Sequence, residues 1–224
     1  MTRPATSRRL DAWLERLEAA HPMGIDLGLD RVAEVGRRMG LLDATLARRV
    51  ITVAGTNGKG STVALLEALA RAHGLSTASY TSPHLLRYNE RLRLDGAEAS
   101  DAMLIAGFEA VEAARLDGDP VSLSYFEVGT LGALWAIAGI QPDLAILEVG
   151  LGGRLDAVNI IDATWRWLPP LPGIIRLTWA TTSKASAVRR RVSFAPGDRR
   201  SWAARSCPTA CAKRLQRSGL RSWL

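Results

Sequence analysis

The sequence predicts an α/β fold with a mostly parallel sheet, and three observations carry that reading. Short apolar, β-branched runs such as Val50-Ile51-Thr52-Val53-Ala54 and Leu144-Ala145-Ile146-Leu147 have the length and composition of strands buried on both faces. Longer stretches between them carry apolar residues at helical spacing. The first apolar run ends in a glycine-rich loop that leads straight into a helix, the strand–loop–helix unit of doubly wound sheets, which bind ligands at the carboxyl edge.

The elements follow in order. Ser7 is read as the cap of a first helix whose apolar positions Leu10, Trp13, Leu14 and Leu17 recur at i, i+3, i+4 and i+7. A loop from His21 to Gly28 separates it from a second helix, expected around Asp30 to Leu42. After the strand at Val50 and its glycine-rich loop, a helix is expected from about Gly60 to Ala72 and a strand near Ser76 to Tyr80. Helices near Asp101–Arg115 and Phe126–Ile137 precede the strand at Leu144. There are no internal repeats.

Charge divides the chain in two. The formal net charge is +7, but 13 of the 29 Lys and Arg residues and only one of the 22 acids, Asp198, lie after Ala163, which leaves residues 1–163 with 16 bases and 21 acids. Five of the seven tryptophans, Trp165, Trp167, Trp179, Trp202 and Trp223, lie in the same basic segment. No run of about 18 apolar residues suggests a membrane helix. The basic start runs into a helix containing Asp11, Glu15 and Glu18, not an apolar signal core. The expectation is a soluble, cytoplasmic protein with no membrane partner. Cys207 and Cys211 have no second Cys/His pair beside them and are not read as a metal site.

The segment between strand and helix reads Gly55-Thr56-Asn57-Gly58-Lys59-Gly60-Ser61-Thr62. Glycines let backbone N–H groups turn onto phosphate oxygens, and the helix N-terminus adds partial positive charge and unpaired donors. Lys59 can reach terminal phosphates, and Ser61 or Thr62 can offer a hydroxyl to phosphate or Mg²⁺. The match is to Gly-Lys-x-Ser, because Val53 stands where the common phosphate loop has its first glycine. Nucleotide binding by Thr56, Asn57, Gly58, Lys59, Gly60, Ser61 and Thr62 is the expectation.

Other segments narrow this. Asp26-Leu27-Gly28-Leu29-Asp30-Arg31-Val32 is followed by Thr81-Ser82-Pro83-His84-Leu85-Leu86-Arg87-Tyr88-Asn89-Glu90-Arg91. Then come Ser124-Tyr125-Phe126-Glu127 and Leu147-Glu148-Val149-Gly150-Leu151-Gly152-Gly153-Arg154-Leu155-Asp156-Ala157-Val158-Asn159. With the glycine-rich loop, these five motifs in this order resemble the Mur ligase superfamily and, within it, the folylpolyglutamate synthase/dihydrofolate synthase family.

The resemblance implies a P-loop, Mur-ligase-type central domain and an ATP- and Mg²⁺-dependent ligase. ATP phosphorylates a carboxylate of dihydropteroate or folate, and the amine of L-glutamate displaces phosphate to form the amide. By the same resemblance Ser82 and Glu148 hold Mg²⁺, Lys59 and Glu148 are catalytic, and the substrate lies against Asp26, Leu27, Gly28, Leu29, Ser124, Tyr125, Phe126, Glu127, Leu155, Asp156 and Ala157. A monomer with small-molecule partners and no nucleic acid is implied. His84 is given no role. The alternatives are a nucleotide- or pterin-binding fragment without turnover, another Mur-type amide ligase, and a basic tail that binds RNA.

The resemblance stops near Ala163. Family members continue with a D-V-A-V-V-T strand, a further metal ligand, a G-R-E-K-A-G-I-F segment with a functional lysine, and a C-terminal Rossmann-type domain. Here the chain gives Thr164-Trp165-Arg166-Trp167-Leu168-Pro169. The genetic code relates the two. GCC GAC GTG GCG GTG GTT ACC encodes A-D-V-A-V-V-T, and loss of one base turns it into GCG ACG TGG CGG TGG TTA CC, or Ala163 to Pro169. GGC CGT GAG AAG GCG GGT ATC TTT encodes G-R-E-K-A-G-I-F, and its shifted frame reads A-V-R-R-R-V-S-F, or Ala187 to Phe194. The expectation is a family domain over residues 1–163 and an out-of-frame, disordered basic tail over 164–224. The Rossmann-type domain would be missing, the sheet would be short of strands, and the chain would be inactive.

Overall fold

The computed structural model describes residues 5–20, 28–151, 153–171 and 174–179. They lie in the first of two units into which the chain divides, Met1–Thr182; the second, Ser183–Leu224, is outside the described residues. The helices are α1 (Ala5–Ala20), α2 (Asp30–Arg38), α3 (Lys59–Ala72), α4 (Asp101–Leu116) and α5 (Tyr125–Ile140). The strands are β1 (Arg49–Val53), β2 (Thr77–Tyr80), β3 (Leu92–Leu94), β4 (Ala97–Glu98), β5 (Leu144–Glu148), β6 (Trp165–Leu171) and β7 (Ile174–Trp179), in the order β4-β3-β2-β5-β1-β6-β7.

The centre of the sheet is parallel. β5 pairs with β1 from Arg49 opposite Leu144 to Val53 opposite Glu148, and with β2 from Thr77 opposite Leu144 to Tyr80 opposite Leu147. Strand registers this uniform bring the carboxyl ends of β1, β2 and β5 to one edge. Both faces of these strands are covered, which explains their unbroken apolar runs. Val50, Ala145 and Leu147 point into the large core beneath α4 and α5, whereas Val53, Leu144 and Ile146 pack with Val63 and Ala70 of α3. The helices α4 and α5 touch at glycine: a Cβ on Gly107 would lie 2.8 Å from the carbonyl oxygen of Gly132.

Several boundaries differ from the sequence reading. α1 is already helical at Ala5, so Ser7 lies inside its first turn and is not its cap. α2 stops at Arg38, four residues before Leu42, because Gly40 turns left-handed at φ 71° and the Leu41 N–H returns to the Gly36 carbonyl at 2.9 Å. The β3–β4 hairpin has no counterpart in that reading. Its turn is Asp95-Gly96, with φ of 48° and 78°, the pair of positive values that a two-residue hairpin turn requires and that glycine tolerates best. Two strands follow Ala163. β6 pairs parallel to β1 from Ile51 opposite Trp165, after the Thr164 hydroxyl has accepted the Val50 N–H at 3.1 Å, so β1 is not the sheet's edge. β7 folds back antiparallel on β6. Cys207, Cys211 and the arginine runs from Arg189 onward lie outside the described residues.

Candidate functional site

Three strand ends and the start of one helix build the site. β1 runs into loop 55–58, where Gly58 takes φ 73° immediately before the first helical residue, Lys59. The first N–H groups of α3 have no intrahelical acceptor, and the exposed loop leaves them facing solvent at the positive end of the helix dipole. Thr56, Asn57, Gly58, Gly60 and Ser61 are all exposed there. The Thr62 hydroxyl donates to the Gly58 carbonyl at 2.7 Å, so it braces the turn, and Ser61 beside it is exposed. This is an anion site with Lys59 at its inner rim.

Glu148 ends β5 and is only 4% exposed. Its Oε2 accepts the Ser82 N–H at 3.3 Å and would lie 3.9 Å from a Cβ on Gly60. Burial pushes its carboxyl above the ordinary value; the Ser82 N–H and the Lys59 charge oppose this, and the Asp156 charge adds to it. Asp156 is also raised by burial, although it accepts N–H groups from Leu151 at 2.8 Å and Val158 at 3.1 Å.

β2 runs into Thr81, Ser82 and Pro83, with a cis Ser82–Pro83 peptide. In the segment that follows, the Glu90 carboxylate accepts the backbone N–H groups of Leu85, Leu86 and Arg87 at 2.7, 2.8 and 2.7 Å. Asn89 Nδ2 donates to the Ala99 carbonyl and to Asp101 Oδ1, both at 2.8 Å. The Asn-Glu pair is therefore what shapes this loop. Opposite it, Ser124 caps α5: its hydroxyl accepts the Glu127 N–H at 3.3 Å while Glu127 Oε2 accepts the Ser124 N–H at 2.7 Å. Arg31 Nη2 donates to both Glu127 oxygens, at 3.1 and 3.3 Å.

Between these walls lies a cavity of about 440 Å³ lined by Gly28, Lys59, Ser82, Ser124, Phe126, Glu127, Leu155, Asp156 and Ala157, together with Pro83, Arg91, Gly150 and Leu151. Of the residues expected at the substrate, Leu29 packs against the large core and Tyr125 stacks edge-on against Tyr88, both outside the cavity wall. Asp26 and Leu27 lie outside the described residues. Arg31 and Arg91 are new to the site. Each was present in a quoted motif, but only the fold shows Arg31 meeting Glu127 and Arg91 entering the wall.

The donor set suits a hard cation. Ser82 and Glu148 offer oxygen only, and among the described residues no group of three or more His, Cys, Asp or Glu side chains gathers to make a self-sufficient cage. Mg²⁺ is commonly held by one or two carboxylates plus phosphate and water, so these two residues beside a phosphate loop fit it.

Comparison with known proteins fits this geometry. No family model matches the chain. The dihydrofolate synthase/folylpolyglutamate synthase of Escherichia coli is 51% identical over 160 residues, and that of Haemophilus influenzae is 47% identical over 154. The matched part of this chain belongs to the dihydrofolate synthase/folylpolyglutamate synthase family. The match takes in 71% of the chain but only 37% of the E. coli synthase. Among solved members of the family, E. coli FolC in complex with DHPP and ADP superposes with a TM-score of 0.68 at 49% identity, over 74% of this chain and 39% of that one. The Yersinia pestis synthase complexed with AMPPNP and a Mn ion gives 0.67 at 48%, over 75% of this chain and 40% of that one. The first of these synthases thus binds ADP, and the second a nucleotide analogue with a divalent metal.

Proposed function

We propose that this chain carries the nucleotide-, metal- and pterin-side half of an ATP-dependent ligase that joins L-glutamate to dihydropteroate or a folate. The observation that supports it best is convergence. The α3 N-terminus, Lys59, Ser82, Glu148 and a cavity with one apolar wall meet at a single sheet edge. In this reading the exposed N–H groups of residues 59–61 and Lys59 hold the phosphates of ATP. Ser82 and Glu148 hold Mg²⁺, whose charge neutralises the transferring phosphoryl group. Phe126, Leu151, Leu155 and Ala157 give a flat ring an apolar bed, and Ser124 and Asp156 offer it polar contacts. Held in line with the terminal phosphate, the substrate carboxylate attacks its phosphorus, ADP departs, and the acyl phosphate is open to the amine of glutamate.

The 224-residue chain alone binds without turnover in this proposal, acting as a soluble cytoplasmic monomer. Among the described residues no helix is long and apolar enough to cross a membrane. The segment after Ala163 is the shifted frame of the family's next strand; sequencing the gene across the codons for Asp162 to Thr164 would show whether one inserted base restores the family sequence. Titration of the purified chain with Mg²⁺-ATP tests the core of the reading. Saturable binding lost in Lys59→Ala supports it. An absence of nucleotide binding sinks it, and glutamate-dependent ADP release at a rate typical of ligases would overturn the proposed lack of turnover.

A further inference from the structure

Arg91 is a buried cation whose contacts are neutral. It is 8% exposed, at the end of the short helical turn Tyr88–Arg91. Its guanidinium lies over the rings of Tyr88 and Tyr125, 5.1 and 5.5 Å from their centres. Its Nε donates to His84 Nδ1 at 2.9 Å, which requires that nitrogen to be unprotonated. Among the described residues no carboxylate forms an ion pair with it.

Arg31, by contrast, is bonded to Glu127. A buried guanidinium without a counter-charge is costly, so its retention in the wall of a cavity points to an anion supplied from outside the chain. The two tyrosine rings and His84 fix the plane of the guanidinium before any ligand arrives, which suits the forked recognition of a carboxylate.

We propose that Arg91 is the anchor for the carboxylate end of the pterin substrate, and that His84 is a positioning residue that holds Arg91 in the required plane. This rests on the cavity being the pterin site. It divides the work of the two cavity cations: Lys59 serves the phosphates and Arg91 the substrate.

Binding of pteroate, of its carboxamide and of pteroylglutamate to the full chain, followed by pterin fluorescence, tests this. Wild type should prefer pteroate to the carboxamide. Arg91→Met should weaken pteroate about 10- to 100-fold, the range of a charged hydrogen bond, while changing the carboxamide by less than about threefold. Arg91→Lys, which keeps charge but not the fork, should fall between. His84→Gln, which retains an acceptor, should stay within about threefold of wild type, and His84→Leu should lose about five- to tenfold. A loss confined to pteroate places its benzoate carboxylate at Arg91, a loss shared with pteroylglutamate places the carboxylate end of either ligand there, and a loss confined to pteroylglutamate overturns the inference. ADP affinity reports an intact fold in every variant, and Arg91→Lys decides the matter if Arg91→Met does not fold. Equal weakening of pteroate and carboxamide, or no weakening, overturns the inference. Wild type that binds ADP but no pterin sinks the pterin-site reading itself.

Discussion

The carboxylates that brace the loops around the site, its wall, and the carboxylate at the end of β5, its floor, are treated differently by the fold. Glu90 is engaged by three backbone N–H groups, led by that of Leu85, which hold its carboxyl below the ordinary range. Glu127 is engaged by Arg31 and by the Ser124 N–H. Glu148, as buried as Glu127 and more so than Glu90, receives one N–H at 3.3 Å, and burial drives its carboxyl upward. The wall carboxylates are used up in orienting loops. The floor carboxylate is left short of donors next to an anion-binding helix end, as expected for a ligand to something that arrives with the substrate. Local stability and function are thus written in the same residue type and separated by how many donors each receives.

The largest test of that contrast is Glu127→Ala. It removes half of the α5 capping box together with the Arg31–Glu127 pair, so a loss of about 3 kcal/mol is expected from urea unfolding. A loss below about 1 kcal/mol would place Glu127 with the floor and not the wall. Lys59→Ala should do the reverse: stability within about 0.5 kcal/mol of wild type, because the residue is partly exposed and braces nothing, with nucleotide affinity down at least about tenfold. Glu90→Gln should leave global unfolding nearly unchanged but free the loop it organises. Faster tryptic cleavage after Arg87 would register this, and an unchanged digestion rate would mean that the backbone holds its shape without the carboxylate.

Much of this was legible in the sequence. The strands at Val50 and Leu144 declared themselves as continuous apolar runs because both of their faces are covered. The glycine-rich loop was visible because its chemistry is local. The Asp95-Gly96 hairpin was equally local and went unread, since its strands are only three and two residues long and show no alternation. The end of α2 was overrun because its apolar period continues through Leu41 and Leu42, and only the left-handed Gly40 breaks it. Arg31 and Glu127 are 96 residues apart, so no spacing rule could pair them. His84 and Arg91 lie within one motif, yet their bond depends on the turn that Glu90 and Asn89 impose.

The smallest and most pointed test is Glu148→Gln. Because the carboxyl of Glu148 is raised above its ordinary value of 4.5, the folded chain keeps that proton to higher pH than the unfolded chain does. Stability linked to this group is complete below about 4.5 and falls as pH rises through the folded value, so at pH 7 the ionised carboxylate detracts from stability. Glutamine, neutral and of the same shape, escapes that loss. The variant should therefore unfold slightly later than wild type at pH 7, with the difference closing on acidification, and Asp156 should leave some of the same slope in both proteins because its carboxyl is raised too. With Mg²⁺-nucleotide present the order should invert, since bound ligand stabilises only the chain that holds it. A Glu148→Gln chain less stable than wild type at every pH would show that Glu148 braces the fold as Glu127 does, and the contrast between wall and floor would then fail at its centre.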